Sequence, residues 1–204
     1  MQNYSQKPRK KKWVIREETL GVNPVRESAL VEDIGVSPCM ARLLCLRGYD
    51  TPSTARDFLY VQTEKLCDTA LLSDIVPAVD RLKRAIEQGE KITIYGDYDV
   101  DGVTAVSILC LYLRVHGADV DYYIPNRIGE GYGVSVPAVE ALAARGTKLI
   151  VTVDTGITAS EEVERARDLG VDFVITDHHE CRAELPAAVA VVNPHRPDDA
   201  YPFK

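Results

Sequence analysis

Four short apolar, β-branched runs punctuate the chain from its middle onward: Lys91–Tyr95, Val120–Ile124, Leu149–Val153 and Phe173–Thr176. Each follows a glycine, Gly89, Gly117, Gly146 or Gly170, placed to end a helix in the left-handed conformation without a Cβ penalty. Stretches of roughly 10–15 residues with helical spacing separate the runs. A fifth short run, Val189–Val192, follows Pro186. This alternation predicts an α/β fold: a parallel sheet of about five strands with flanking helices and right-handed crossovers. Ser73 or Asp74 is placed to cap the helix before the first strand, with Ile75, Val79, Leu82 and Ile86 as its buried face.

Upstream the period is helical throughout. Asn23-Pro24, Ser37-Pro38 and Thr51-Pro52 each offer a helix start, since proline is tolerated at the first helical position. Met40, Leu43, Leu44 and Leu46 mark one apolar stripe, and Ala55, Phe58 and Leu59 another. Residues 13–73 read as a small helical lead-in, and 74–204 as the α/β core. Residues 1–12 hold Lys7, Arg9, Lys10, Lys11 and Lys12 and read as a basic, flexible tail.

Composition narrows the class. With 46% hydrophobic and 27% charged residues in 204, the chain can bury a real core. No apolar run approaches the roughly 18 residues of a membrane span. No secretory signal precedes the fold, so a non-membrane, cytoplasmic protein is expected. The five cysteines are scattered, with no Cys-x-x-Cys pair, which fits free thiols in a reducing compartment. The net charge of −7 argues by itself against a nucleic-acid binder. Acidic metal ligands would inflate that count and be neutralised on binding.

Candidate chemistry gathers at the ends of the predicted strands. Asp97, Asp99 and Asp101 follow the first run at alternate positions, Asp154-Thr155-Gly156 follows the third, and Asp177-His178-His179 follows the fourth. Converging carboxylates raise one another's pKa, and a divalent cation removes that cost. The carboxyl edge of an open α/β sheet is where ligands bind. Carboxylates with a few imidazoles suit Mg²⁺ or Mn²⁺, the latter better once nitrogen enters the set. The glycines after the first and third runs precede helices, whose N-termini can receive phosphate oxygens. Two cations about 3.5–4 Å apart can together activate water and stabilise a leaving oxygen.

The stretches Tyr95–Gly102, Asp154–Gly156 and Asp177–His179 resemble motifs I, II and III of the DHH phosphoesterases. Pro125-Asn126-Arg127, Glu130–Gly133 and the closing Tyr201-Pro202-Phe203-Lys204 narrow the resemblance to the RecJ single-stranded-DNA exonucleases, from about Trp13 to the last residue. One departure is visible: the resembled family usually has cysteine where Thr155 stands. The resemblance implies a single-stranded-DNA-specific 5′-to-3′ exonuclease of recombination and repair, working by two-metal phosphodiester hydrolysis. It assigns Asp97 and Asp99 to one metal, Asp101 and His178 to the other, and Asp154 as the bridge. Asp177 would orient imidazole, His179 would touch the scissile phosphate or leaving group, and Arg127 would bind phosphate. Tyr98 and Tyr132 offer faces for bases. Single-stranded DNA is the implied partner, with single-stranded-DNA-binding protein and a RecQ-type helicase also implied.

Resembled proteins carry a fourth motif and further strand-binding domains beyond the stretch that matches Lys204. The chain is therefore expected to be a fragment or the product of a shortened gene. Two other readings stay open. One is a different DHH phosphoesterase, acting on oligoribonucleotides, cyclic dinucleotides or pyrophosphate. The other is a non-catalytic scaffold, which intact acidic motifs argue against.

Overall fold

The computed structural model describes residues 21–60 and 67–202. The basic stretch 1–12, Trp13 and the closing Phe203-Lys204 lie outside the described residues. The chain divides before Cys67 into two compact units.

The first unit holds three helices, α1 (Pro24–Ile34), α2 (Pro38–Leu46) and α3 (Pro52–Leu59). The start signals work as polar caps: side-chain oxygens of Asn23, Ser37 and Thr51 accept hydrogen bonds from Val25, Met40 and Thr54 N–H groups. Leu30, Ala41, Leu44 and Ala55 form its small core. Met40, Leu43 and Phe58 of the predicted stripes are exposed. Phe58 instead stacks on Tyr49, ring centroids 4.2 Å apart.

The second unit is the α/β layer structure. Its elements in chain order are α4 (Ile75–Glu87), β1 (Ile92–Gly96), α5 (Val100–Val115), β2 (Val120–Tyr123), α6 (Val136–Ala144), β3 (Leu149–Val153), α7 (Ser160–Asp168), β4 (Asp172–Thr176) and β5 (Ala190–Val192). The five strands form one sheet in the order β2-β1-β3-β4-β5, every pair parallel. Strand periodicity divides the core between its two faces. Ile92, Ile94, Leu149, Val151 and Val174 pack with Ala78, Ala85, Val106 and Leu113 on the side of α4 and α5. Tyr95, Ile150, Phe173 and Ile175 pack with Val139, Leu142, Val163 and Ala166 on the side of α6 and α7.

Two local expectations change. Asp74 stands at the N-cap of α4 with φ 60°, but its carboxylate makes no cap hydrogen bond. It accepts instead from the Val191 N–H of β5 at 3.1 Å and from Arg196 at 2.6 Å. The deepest face of α4 is Ala78, Arg81 and Ala85, with Ile75, Leu82 and Ile86 beside it and Val79 exposed. Small residues let the helix sit close to the sheet. Arg81 enters the core because Glu90 and Asp172 receive it at 2.7 and 2.6 Å.

Register sets the functional edge. Gly96 pairs with Val153, Val153 with Thr176, and Thr176 with Val192. The next residue on each of these four adjacent strands is Asp97, Asp154, Asp177 and Asn193. Three carboxylates and an amide thus leave the sheet in one row.

Candidate metal centre

Two groups of possible ligand atoms meet at that edge: Asp97, Asp99 and Asp154, and Asp154 with His178 and His179, each group within 4.8 Å. Asp154 belongs to both. Its backbone lies in the left-handed region at φ 59°, uncommon for a residue with a β-carbon. Burial pushes its carboxyl above the usual range, while the His178 contact opposes that shift. His178 Nε2 lies 2.8 Å from Asp154 Oδ1. Asp97 is 4% exposed, and its Oδ1 is buried with no hydrogen-bond partner. Asp99 caps α5 by accepting the Gly102 N–H at 3.0 Å, and this bond holds its carboxyl below the ordinary range.

Asp101 falls outside both groups. It stands in the first turn of α5 and shares a cavity of about 470 Å³ with Asp154, Asp177 and His178. Gly102 does not open α5 but completes its first turn. Its N–H is committed to Asp99, so it is no free phosphate donor.

Asp177 is buried and fully engaged. Oδ2 accepts the Ile157 N–H at 2.9 Å. Oδ1 accepts from the backbone of His178 and His179, and lies 2.7 Å from His179 Nδ1. The imidazole that Asp177 orients is therefore His179, whereas His178 turns to Asp154. A carboxylate only accepts, so the His179 proton sits on Nδ1 and Nε2 faces the Tyr132 hydroxyl at 3.2 Å. The Asp177 bond raises the His179 pKa above the ordinary imidazole value.

Arg127 sits on the loop after β2, its guanidinium carbon 5.2 Å from the Tyr98 ring centroid. Tyr98 meets Tyr132 edge to face at 6.5 Å, and Tyr132 meets His179 at 6.1 Å. A strip of one cation and two phenols leads to the histidines. Its loop is tied down by Glu130, which accepts from the Tyr123 hydroxyl and, at 3.1 Å, from Asn126 N–H. The Tyr95 hydroxyl donates to Gly133 O at 3.1 Å. Thr155, buried beside Asp154, lines a second cavity of about 410 Å³ with Tyr132, Gly156 and Arg182.

Sequence reasoning passed over Asn193, which is fully buried and donates to the His179 carbonyl at 2.9 Å. Its signal was positional: it directly follows the fifth apolar run, as Asp97, Asp154 and Asp177 follow theirs. Arg196, which binds Asp74, Asp198 and the Val191 carbonyl behind that edge, was missed as well.

Residues 91–200 match the model of the DHH family, N-terminal domain. The chain is 47% identical over 176 residues to the single-stranded-DNA-specific exonuclease RecJ of Bacillus subtilis, covering 86% of this chain and 22% of that one. A crystal structure of exonuclease RecJ bound to manganese superimposes with a TM-score of 0.59 at 37% identity, over 65% of this chain and 34% of that one. RecJ of Thermus thermophilus in complex with Mn²⁺ gives 0.61 at 28% identity, over 87% and 24%. The chain thus spans about a fifth to a third of the length of these relatives.

Proposed function

The chain belongs to the DHH family, and on that premise we propose that it is the metal-binding core of a phosphodiesterase that degrades single-stranded DNA. The observation that carries the proposal is the pair of ligand groups sharing Asp154, with a buried, unpartnered oxygen on Asp97. An orphan acceptor among carboxylates costs free energy unless a cation satisfies it. The oxygen-rich donor set with an imidazole fits Mn²⁺ or Mg²⁺. Manganese is the metal in the two RecJ structures compared above.

Asp97, Asp99 and Asp154 would hold one cation. Asp154 and His178 would begin a second site, with Asp101 reaching it across the shared cavity. When bound, the cations supply Lewis acidity toward water and toward the phosphate oxygens. Asp177 holds the His179 ring through Nδ1, so Nε2 can hand a proton to the leaving oxygen. The Asp177 bond raises the His179 pKa, which favours the ring protonated at both nitrogens that such a transfer requires. Arg127 would grip a phosphate, and the exposed Tyr132 ring with Tyr98 would offer stacking faces for bases.

In recombination and repair such an enzyme would work in the cytoplasm beside single-stranded-DNA-binding protein and a RecQ-type helicase. These partners, the 5′-to-3′ polarity and the location rest on the resemblance. Among the described residues no helix is long and apolar enough to cross a membrane. The test is digestion of 5′- and 3′-end-labelled single strands with Mn²⁺, Mg²⁺ or chelator. Metal-dependent loss of the strand from its 5′ end supports the proposal. Hydrolysis confined to dinucleotides would move the chain to another branch of the family.

A further inference from the structure

Asp177 fixes the His179 ring, but a ring is only as well placed as the backbone that carries it. The Asp177 N–H donates to Val192 O at 3.1 Å. The His178 and His179 N–H groups both go to Asp177 Oδ1. The His179 carbonyl has one described partner, the Asn193 side-chain N–H. Asn193 Oδ1 accepts the His195 N–H at 2.8 Å. A carbonyl needs a donor and an N–H needs an acceptor, so these two partners fix which way the amide points.

The other end of this bridge is rigid. The Arg196 N–H returns to Asn193 O at 3.2 Å. The Arg196 guanidinium grips Val191 O at 2.6 Å, Asp74 at 2.6 Å and Asp198 at 2.9 and 2.7 Å. Register adds the last point: Asn193 continues the row of Asp97, Asp154 and Asp177, so the amide stands one strand beyond the histidine loop.

We infer that Asn193 is a positioning residue, which anchors the His179 peptide to the end of β5 and so sets where Nε2 stands relative to the scissile phosphate. This rests on the proposed phosphodiesterase role of His179. Asn193 hydrogen-bonds to the backbone of His179 and His195 and to no side-chain ligand atom, so its loss should reduce turnover and spare a cation held by Asp97, Asp99, Asp154 and His178. Displacing a catalytic group by about 1 Å can cost on the order of 100-fold, and removing a residue that orients such a group typically costs about 10–100-fold.

The test uses the whole chain with two substitutions. Asn193→Ala removes both bonds. Asn193→Asp keeps an acceptor for His195 N–H and replaces the donor to His179 with a second, charged acceptor. Expected is a fall in kcat of about tenfold or more, with KM and Mn²⁺ affinity changed by less than about threefold. In a His179→Ala background, Asn193→Ala should cost less than about twofold, because the positioned group is gone. An additive loss in that background overturns the inference, as does parallel loss of Mn²⁺ binding.

A second readout needs no activity. The downfield Nδ1–H resonance of His179, identified by its disappearance in His179→Gln, should shift or broaden in Asn193→Asp while the remaining amide spectrum is retained. An unchanged resonance, or global unfolding of both variants, assigns Asn193 to stability alone and overturns the inference. Should the unsubstituted chain cleave nothing, the function proposed above fails, and this resonance still decides the positioning role.

Discussion

Gly102 lies flat against the backbone of Asp97. A β-carbon built on it would come within 2.4 Å of the Asp97 carbonyl oxygen and 2.6 Å of its nitrogen. The first turn of α5 can approach the end of β1 this closely only because the side chain is absent. Glycine to alanine inside a helix normally stabilises by about 1 kcal/mol. Here the sign reverses. Gly102→Ala should destabilise by about 1–3 kcal/mol, the usual range for overpacking a closed site. It should also weaken Mn²⁺ binding, since Asp97 must move. Chemical denaturation with and without Mn²⁺ checks both, and a more stable variant would show that the contact is soft.

Asp99 has two separable roles. Asp99→Asn keeps an oxygen for the Gly102 N–H and loses the charge, so stability should change little while Mn²⁺ affinity falls. Asp99→Ala loses the cap too and should be measurably less stable than Asp99→Asn. Equal stability of the two variants would remove the capping role.

The fold and the acidic edge were legible because both rest on short-range signals. Apolar runs, four of them preceded by a glycine and the fifth by Pro186, placed β1 to β5, and residues just after strands marked Asp97, Asp154 and Asp177. What stayed hidden depends on partners distant in sequence. Nothing near Asp74 shows that it serves Val191 and Arg196 rather than its own helix. Nothing near Arg81 shows that Glu90 and Asp172 draw it inward. That Asp177 would orient an imidazole was expected, but which ring it takes, His179 with His178 left to Asp154, depends on the relative tilt of two neighbouring rings that spacing does not carry.

The Arg127 loop should respond to acid. The Tyr123 hydroxyl donates to Glu130 and holds its carboxyl below the ordinary range. Burial, aided by Glu130, pushes the Tyr123 phenol up to about 12. A carboxyl with a depressed folded pKa adds stability above its unfolded value of about 4.3 and loses it as pH falls through the folded value. Glu130 is exposed, so the effect is small, under about 1 kcal/mol. The Tm difference between the unsubstituted chain and Glu130→Gln should be largest near pH 7 and close toward pH 3. A difference that persists at pH 3 would mean that the charge is irrelevant.

Arg196 should matter more than its surface-like sequence context implies. It is 8% exposed and meets two carboxylates and a carbonyl. Asp74 and Asp198 keep 37% and 64% of their side chains exposed, so Arg196→Ala mainly strands the buried Val191 carbonyl and should cost about 1–3 kcal/mol. Thermal melts measure this directly; a loss below about 1 kcal/mol would show that the turn after β5 holds itself.

The claim on which the rest depends is that the strand-end carboxylates are a cation site organised by Asp154. Calorimetric titration of Mn²⁺ into the chain and into Asp154→Asn tests it most directly. Asparagine tolerates the left-handed backbone at this position, so the substitution removes the charge without adding strain. The account predicts saturable binding by the unsubstituted chain, with a Tm that rises with Mn²⁺ concentration, and loss of both in the variant. Absence of binding by the unsubstituted chain, or equal binding by Asp154→Asn, would contradict it.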